Sequence, residues 1–153
     1  MIARLAFVWA VSLALAACAS TPQAPIADPP LATGLSRIYF YRTTFSIGSD
    51  SGLLGNVAKP LLTLDGQPVA EATAGSVFFC DVTPGRHQVT VRANQTYSLT
   101  VVTVPNQASY VKLDWGLSGL TGQSHVSEAS AAVGGQEIAG RSRIAATCPQ
   151  AGG

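Results

Sequence analysis

Short runs in which apolar and polar residues alternate are the feature that most constrains the fold of this chain. From Arg37 onward, such runs follow one another with turn residues about every 8 to 12 positions. Alternation places successive side chains on opposite faces of a strand, so that one face is buried and the other meets solvent. The pattern predicts a mainly β fold: a small antiparallel β-sandwich of about seven strands over residues 37–148.

Turn residues fix where the predicted strands end. Asp65-Gly66 is a two-residue hairpin signal, because both positions tolerate a positive φ. Pro84-Gly85 predicts a type II turn with a positive φ at Gly85. After the last strand, residues 129–139 predict a short C-terminal helix, which Gly134 and Gly135 weaken by about 1 kcal/mol each.

The N-terminus has the sequence of a secretory signal peptide. Arg4 is followed by an uncharged stretch, 5–17, which is shorter than the roughly 20 residues of a membrane-spanning helix. The stretch ends in Leu15-Ala16-Ala17-Cys18, which looks like a bacterial lipobox. We therefore expect residues 1–17 to be removed and Cys18 to be acylated, with diacylglycerol on its thiol and palmitate or a similar acyl chain on the new amine. The alternative is an ordinary signal peptide with a cysteine at this position by chance.

The segments that flank the predicted domain are simple in composition. Residues 18–36 contain four of the nine prolines, and proline favours an extended tether because it fixes φ and removes a hydrogen-bond donor. We expect residues 149–153 to form a loose tail. Because Ala19, and not aspartate, follows Cys18, the sequence favours the periplasmic face of the outer membrane over inner-membrane retention.

Charge and motif content point away from several classes of function. The chain carries 9 Lys+Arg and 8 Asp+Glu, a net charge of +1, which offers no electrostatic basis for binding nucleic acid. It has no nucleophile-elbow, phosphate-loop or metal-ligand spacing, so we predict no catalytic, cofactor-binding or metal-binding residue. His87 follows a turn on an alternating strand and is interpreted as a structural or surface residue. His125, with Ser124 and Glu128 nearby, is the alternative: part of a small envelope hydrolase.

Of the three cysteines, one is expected to carry lipid and the other two are expected to form a disulfide. Cys18 is consumed by the lipid, and export places Cys80 and Cys148 in an oxidising compartment, which predicts a disulfide between them. Cys80 shares a strand face with Phe78 and Val82 and should point into the core. The alternative is a buried free thiol at Cys80 and an unpaired Cys148 in a mobile tail.

The first strand carries a possible partner-binding surface. Arginine and aromatic residues dominate protein–protein hot spots, and the candidates here are Arg37, Tyr39, Tyr41, Arg42 and Phe45. Phe45 lies near the start of a long connection, residues 43–58, and the apolar residues of this connection also favour contact with a partner. The alternative is that the strand is buried on both faces and that the tyrosine hydroxyls find partners within the protein.

Several of these segments stand in the same order in one family of bacterial lipoproteins. They are Ile38-Tyr39-Phe40-Tyr41-Arg42, Phe45 with Gly48-Ser49, Leu64-Asp65-Gly66, Pro84-Gly85-Arg86-His87 and Tyr110-Val111-Lys112. Over residues 36–139 the chain resembles the lipoprotein family catalogued as domain of unknown function 2846. The resemblance implies a small β-rich domain held at the cell envelope, and it brings no established activity and no catalytic residue.

Taken together, the sequence predicts a non-enzymatic lipoprotein that binds or scaffolds a partner. Its expected partners are the membrane, through the acyl chains on Cys18, and a periplasmic or envelope protein. The two alternatives are the small hydrolase and a carrier of an apolar ligand, which would need a cavity.

Overall fold

The computed structural model describes residues 27–44, 59–93, 95–118 and 121–150. The predictions made for the signal peptide 1–17, for Cys18 and for Phe45 lie outside the described residues. The first part of the predicted tether, 18–26, and residues 151–153 of the predicted tail lie outside them as well.

Within the described residues the chain forms nine strands and one helix. They are β1 (Ser36–Arg42), β2 (Leu61–Leu64), β3 (Gln67–Glu71), β4 (Ser76–Val82), β5 (Gly85–Arg92), β6 (Thr96–Thr103), β7 (Ala108–Ser118), β8 (Thr121–Ala129), α1 (Ala131–Ile138) and β9 (Ser142–Arg143). One sheet has five strands in the order β8-β7-β1-β4-β9, and the other has four in the order β3-β2-β5-β6.

The two sheets form a small β-sandwich, as the alternation predicts. The inward faces of the strands supply the core: Ile38 and Phe40 from β1 and Val89 and Val91 from β5 belong to one core cluster, and all four are 1% exposed or less. Removal of this apolar surface from water is the main favourable contribution to folding. The predicted mainly β class with a short C-terminal helix is therefore confirmed.

The connectivity differs from a simple sequential meander in two places. β1 pairs with β7 in parallel, and β4 pairs with β9 in parallel, while the other pairings are antiparallel. After β1 the chain crosses to the four-stranded sheet, returns for β4, crosses again for β5 and β6, and comes back as β7 beside β1. Alternation predicts which face of a strand is buried, but it does not predict which strand lies alongside.

The two predicted turns have different outcomes. Asp65 and Gly66 have φ angles of 51° and 82°, which is the type I′ geometry predicted for the hairpin between β2 and β3. Gly85 has a positive φ, as predicted, but its value of 150° is far from the roughly 80° of a type II turn. The type II assignment is wrong because Gly85 is already the first residue of β5, where its N–H donates to Thr103 Oγ1 at 3.1 Å.

The ends of the domain are more ordered than the sequence predicts. Residues of the predicted tether bind the sandwich: Gly34 N–H donates to Asn106 Oδ1 at 2.8 Å, and the Asn106 N–H donates to the Leu35 carbonyl at 2.7 Å. The described end of the tether therefore belongs to the folded unit, which begins before Arg37. Residues 34–35 are held in place because Asn106, in the turn before β7, bonds to both of them.

Helix α1 runs through both glycines that were expected to weaken it. Ser130 caps its N-terminus, with its hydroxyl accepting from the Val133 N–H at 3.4 Å. Gly134 is buried against Tyr110, and a Cβ built at Gly134 would lie 2.3 Å from Tyr110 Cγ and 2.5 Å from its Cβ. The glycine thus costs helix propensity but permits the helix to approach β7 closely.

Substitution of the two glycines separates propensity from close packing. We expect Gly134→Ala to lower the free energy of unfolding by about 1–3 kcal/mol, because the helix must move away from Tyr110. Gly135→Ala is the matched control, since its Cβ would meet only Tyr110 Oη at 3.8 Å. This control should raise stability by roughly 0.5–1 kcal/mol through helix propensity. Urea denaturation of both variants measures the contrast, and equal effects of the two substitutions would contradict it.

Candidate functional site

The aromatic and arginine surface predicted on β1 is buried. Arg37 and Arg42 are each 4% exposed, Tyr39 is 9% exposed and Tyr41 is fully buried. These four residues therefore cannot form a partner-binding surface, and that prediction is wrong. The alternative interpretation is correct for them: β1 is buried on both faces, and its polar groups are satisfied inside the protein.

The first half of β1 is covered by the residues that precede the sandwich. Arg37 donates to both carboxylate oxygens of Asp81, at 2.6 and 2.8 Å, and to the Pro29 carbonyl at 2.8 Å. Tyr39 donates its hydroxyl to Asp28 Oδ2 at 2.8 Å. The hydrogen bond to Asp81 raises the pKa of Arg37, and burial raises the pKa of Tyr39. A neutral tyrosine and a charged arginine are thus held under residues 28–29.

The second half of β1 is covered by α1. Tyr41 donates to Glu137 Oε2 at 2.6 Å, and Lys112 Nζ donates to Glu137 Oε1 at 3.0 Å. Arg141, which follows the helix, donates to the Glu137 and Arg42 carbonyls and lies 5.4 Å from the centre of the Tyr41 ring. Burial, with the hydrogen bond to Glu137, raises the pKa of Tyr41. Helix α1 is thus held on the outer face of the five-stranded sheet by one carboxylate.

The predicted disulfide between Cys80 and Cys148 is present, with the two Cα atoms 5.5 Å apart. It fixes the C-terminal segment between the sheets. Ile144 N–H donates to the Val77 carbonyl of β4, and Thr147 N–H donates to the Val69 carbonyl of β3, at 3.1 and 2.8 Å. The segment therefore closes the side of the sandwich at which β4 and β3 lie. The sequence predicts its covalent attachment but not its backbone hydrogen bonds to both sheets.

The two histidines have different environments. His87 is 8% exposed, with Nδ1 2.7 Å from Asp65 Oδ2 and Nε2 2.7 Å from the Thr83 carbonyl oxygen. Both of its nitrogens face acceptors, so His87 joins the β2–β3 turn to the β4–β5 connection, and its structural interpretation is confirmed. His125 is exposed on β8, where it pairs in register with Asp114.

An apolar groove runs beside the disulfide. Its volume is about 300 Å³, and it is lined mainly by Val77, Phe79, Ile144 and Ala146. Arg143, at its end, is 3.0 Å from the carboxylate of Asp28. The groove lies at the surface between β4 and the C-terminal segment rather than inside the core.

The outer face of the four-stranded sheet carries mostly polar side chains, several of them hydroxyl-bearing, and most of its positions are exposed. Outward-facing positions alternate with the core positions of β5 and β6, so that Gln88 lies beside Thr100 and Thr90 beside Ser98. The Thr90 and Ser98 hydroxyls are 3.1 Å apart. The strands give this face Leu61, Thr63, Glu71, Arg86, Gln88, Thr90, Arg92, Thr96, Ser98, Thr100 and Val102. Lys59, which is exposed two residues before Leu61, continues the outward alternation of β2, and we count it with this face.

Apart from the buried, inward-facing Arg42, the lysine and arginine side chains of the described residues lie on one or the other outer side of the sandwich. On the five-stranded side, Arg37, Lys112 and Arg143 form ion pairs with Asp81, Glu137 and Asp28 respectively. On the four-stranded side, Lys59, Arg86 and Arg92 are exposed and form no ion pair with any described residue. Alternation along β5 was the signal for Arg86 and Arg92, because the side opposite His87, Val89 and Val91 must face outward.

Searches of protein-family models, of curated proteins and of solved structures found no match to this chain. Among the described residues, no group of three or more histidine, cysteine, aspartate or glutamate side chains could hold a metal ion. No helix among them has both the length and the apolar character needed to cross a membrane.

Glu137 should make stability depend on pH. The hydrogen bond from Tyr41, and then that from Lys112, lowers the pKa of Glu137 below its ordinary 4.5. A lowered folded-state pKa stabilises the protein above pH 4.5, and this contribution is lost as the pH falls through the lowered value. We expect Glu137→Gln to cost about 1–2 kcal/mol at pH 7, a range reduced because the side chain is 30% exposed.

The difference between wild type and Glu137→Gln should shrink below pH 4.5. Urea midpoints measured across the acid range test this. Glu128→Gln is the charge-matched control, since Glu128 is exposed on β8 and forms no ion pair with the described residues; its cost should stay within about 0.5 kcal/mol. A gap between wild type and Glu137→Gln that stays constant with pH would contradict the assignment.

Proposed function

We propose that this protein is a lipid-anchored lipoprotein of the bacterial cell envelope that acts as a non-enzymatic binding or scaffolding domain. Cys18 carries the anchor at the periplasmic face of the outer membrane, and the β-sandwich is held beside the bilayer. The resemblance to the lipoproteins with domain of unknown function 2846 belongs to the same proposal.

The disulfide is the observation that carries the proposal. A bridge between Cys80 and Cys148 persists in an oxidising compartment and is rare in the cytosol, which supports export. It also accounts for two of the three cysteines, and the third is Cys18 at the end of the apolar N-terminal stretch. A thiol at that position is the group that lipid attachment requires.

The environment of His87 argues against this histidine as the base of a hydrolase; His125, on which the hydrolytic alternative rests, is exposed on β8. A general base needs a free nitrogen within hydrogen-bond reach of its nucleophile. Both nitrogens of His87 already contact oxygen acceptors, at 2.7 Å each, so the ring has no position left for a serine. The face available for contact is instead the exposed outer face of the four-stranded sheet.

Anchoring is tested by replacing Cys18. In a Gram-negative host, the wild-type chain should lose residues 1–17, enter the detergent phase and gain the mass of its acyl chains. Cys18→Ala should keep the uncut mass, because no thiol is present to accept diacylglycerol. Cys148→Ala is the matched control: it removes a cysteine but should leave both lipidation and cleavage unchanged.

Thiol titration of the unfolded, unreduced wild-type protein completes the test. The mature protein should show no free thiol, and Cys148→Ala should expose the thiol of Cys80. The same mass for wild type and Cys18→Ala would overturn the anchoring part of the proposal. For the scaffolding part, crosslinking in whole cells should recover a partner with wild type and lose it with Cys18→Ala; recovery of no partner above background would contradict it.

A further inference from the structure

We propose that the outer face of the four-stranded sheet binds the peptidoglycan layer, by pairing its exposed cations with the carboxylates of that polymer. The inference rests on the proposed function for the orientation of the domain. The polymer offers sugar hydroxyls, amides and peptide carboxylates, and the face offers cations together with hydroxyl and amide side chains.

The charge distribution supports an anionic ligand. Lys59, Arg86 and Arg92 lie on this face and form no ion pair with the residues that the structure describes, while the ion-paired Arg37, Lys112 and Arg143 lie on the opposite side of the sandwich. Arg86 and Arg92 are six positions apart on β5, which separates them by about 20 Å. Among the described residues of this face, Glu71 at the β3 edge is the acidic side chain. Widely spaced cations suit an extended polymer better than one small anion.

The hydroxyl groups supply a second component of recognition. Thr63, Thr90 and Ser98 lie side by side across β2, β5 and β6. Neighbouring strands are about 4.8 Å apart, and alternate residues along a strand are about 6.7 Å apart, so these side chains form a regular polar array. On the four-stranded sheet, the outward positions of the described strands carry no aromatic ring on which a sugar could stack, which leaves ionic and hydrogen-bond contacts as the mode of binding.

The path of the chain favours the cell wall over the membrane as the anionic partner. Asp28 binds Tyr39 and Arg143 on the outer side of the five-stranded sheet. The chain therefore leaves the domain on the side opposite the cationic face. The nine residues 19–27 can span at most about 30 Å, so the five-stranded side stays close to the bilayer when Cys18 is anchored. Attachment on this side favours orientations in which the cationic face is turned away from the anchored leaflet and toward the cell wall.

Co-sedimentation with purified peptidoglycan sacculi tests the face directly. The full-length mature protein in neutral detergent micelles should pellet with sacculi. We expect the triple variant Lys59→Gln, Arg86→Gln, Arg92→Gln to bind about tenfold more weakly, since each exposed ionic contact contributes little alone. The matched control keeps the charges, Lys59→Arg, Arg86→Lys and Arg92→Lys, and should bind within about twofold of wild type. All three sites are exposed, and thermal denaturation verifies that both variants fold.

The complementary test changes the polymer instead of the protein. Sacculi whose carboxylates have been amidated should lose the wild-type protein, and raising the salt from about 0.05 M to about 0.5 M should do the same. Equal binding of wild type and the glutamine variant, or retention on amidated sacculi, would overturn the proposal. Loss of binding by the charge-keeping control would overturn it as well.

Orientation is tested in vesicles. Wild-type protein reconstituted in phosphatidylcholine should capture sacculi as well as protein in phosphatidylcholine mixed with phosphatidylglycerol. If the cationic face instead lies on the membrane, the anionic lipid will occupy it and capture will be lost, which overturns the proposal. If Cys18 carries no lipid, the proposed function fails, but the micelle experiment still tests this face by itself.

Discussion

Burial of β1 on both of its faces is the constraint on which the rest of the structure depends. One face contributes Ile38 and Phe40 to the core, and the other carries Arg37, Tyr39 and Tyr41; Arg42, on the inward side, is buried as well and donates to the Ala72 carbonyl at 2.9 Å. Buried polar groups must be hydrogen-bonded, because an unpaired one costs the free energy of its lost hydration. The strand is therefore stable at the centre of its sheet only if other parts of the chain supply acceptors.

Those acceptors come from distant parts of the sequence. Asp81 is 44 residues from Arg37, and Glu137 is 96 residues from Tyr41. Asp28 comes from the segment before the sandwich. Asp28 also pairs with Arg143, and Glu137 also pairs with Lys112, while Asp81 lies on the neighbouring strand β4. The covering residues and β1 therefore stabilise one another. This arrangement explains why residues 28–35 and helix α1 belong to the folded unit.

Much of the fold could be predicted from local pattern, whereas the covering of β1 could not. Alternation identifies the inward positions, Asp65-Gly66 identifies the hairpin, and counting cysteines identifies the bridge between Cys80 and Cys148. These predictions rest on properties of neighbouring residues or on the chemistry of a compartment. The burial of Tyr39 and Tyr41, in contrast, depends on which elements lie over them.

The same limit applies to the glycines of α1 and to the candidate site. From the sequence alone, Gly134 is expected only to weaken the helix. The structure shows that it also makes room for Tyr110, which packs closely against it. Arg37 and Arg42 flank aromatic residues, and the sequence therefore predicts that they bind a partner, yet both are buried, whereas Arg86 and Arg92 are exposed. Burial thus moves the candidate site from the five-stranded side, which the chain covers with its own residues, to the four-stranded side, which it leaves open to an external anion.

Native-state hydrogen exchange of the backbone amides tests the burial of β1 most directly. If residues 28–29 and α1 are integral to the fold, the amides of Ile38–Tyr41 will exchange only through global unfolding, and their protection will equal the free energy of unfolding. The amides on the open edge of β6 will exchange at lower free energy. Exchange of the β1 amides as fast as those of β6 would show that the covering layer opens separately, and it would contradict this account.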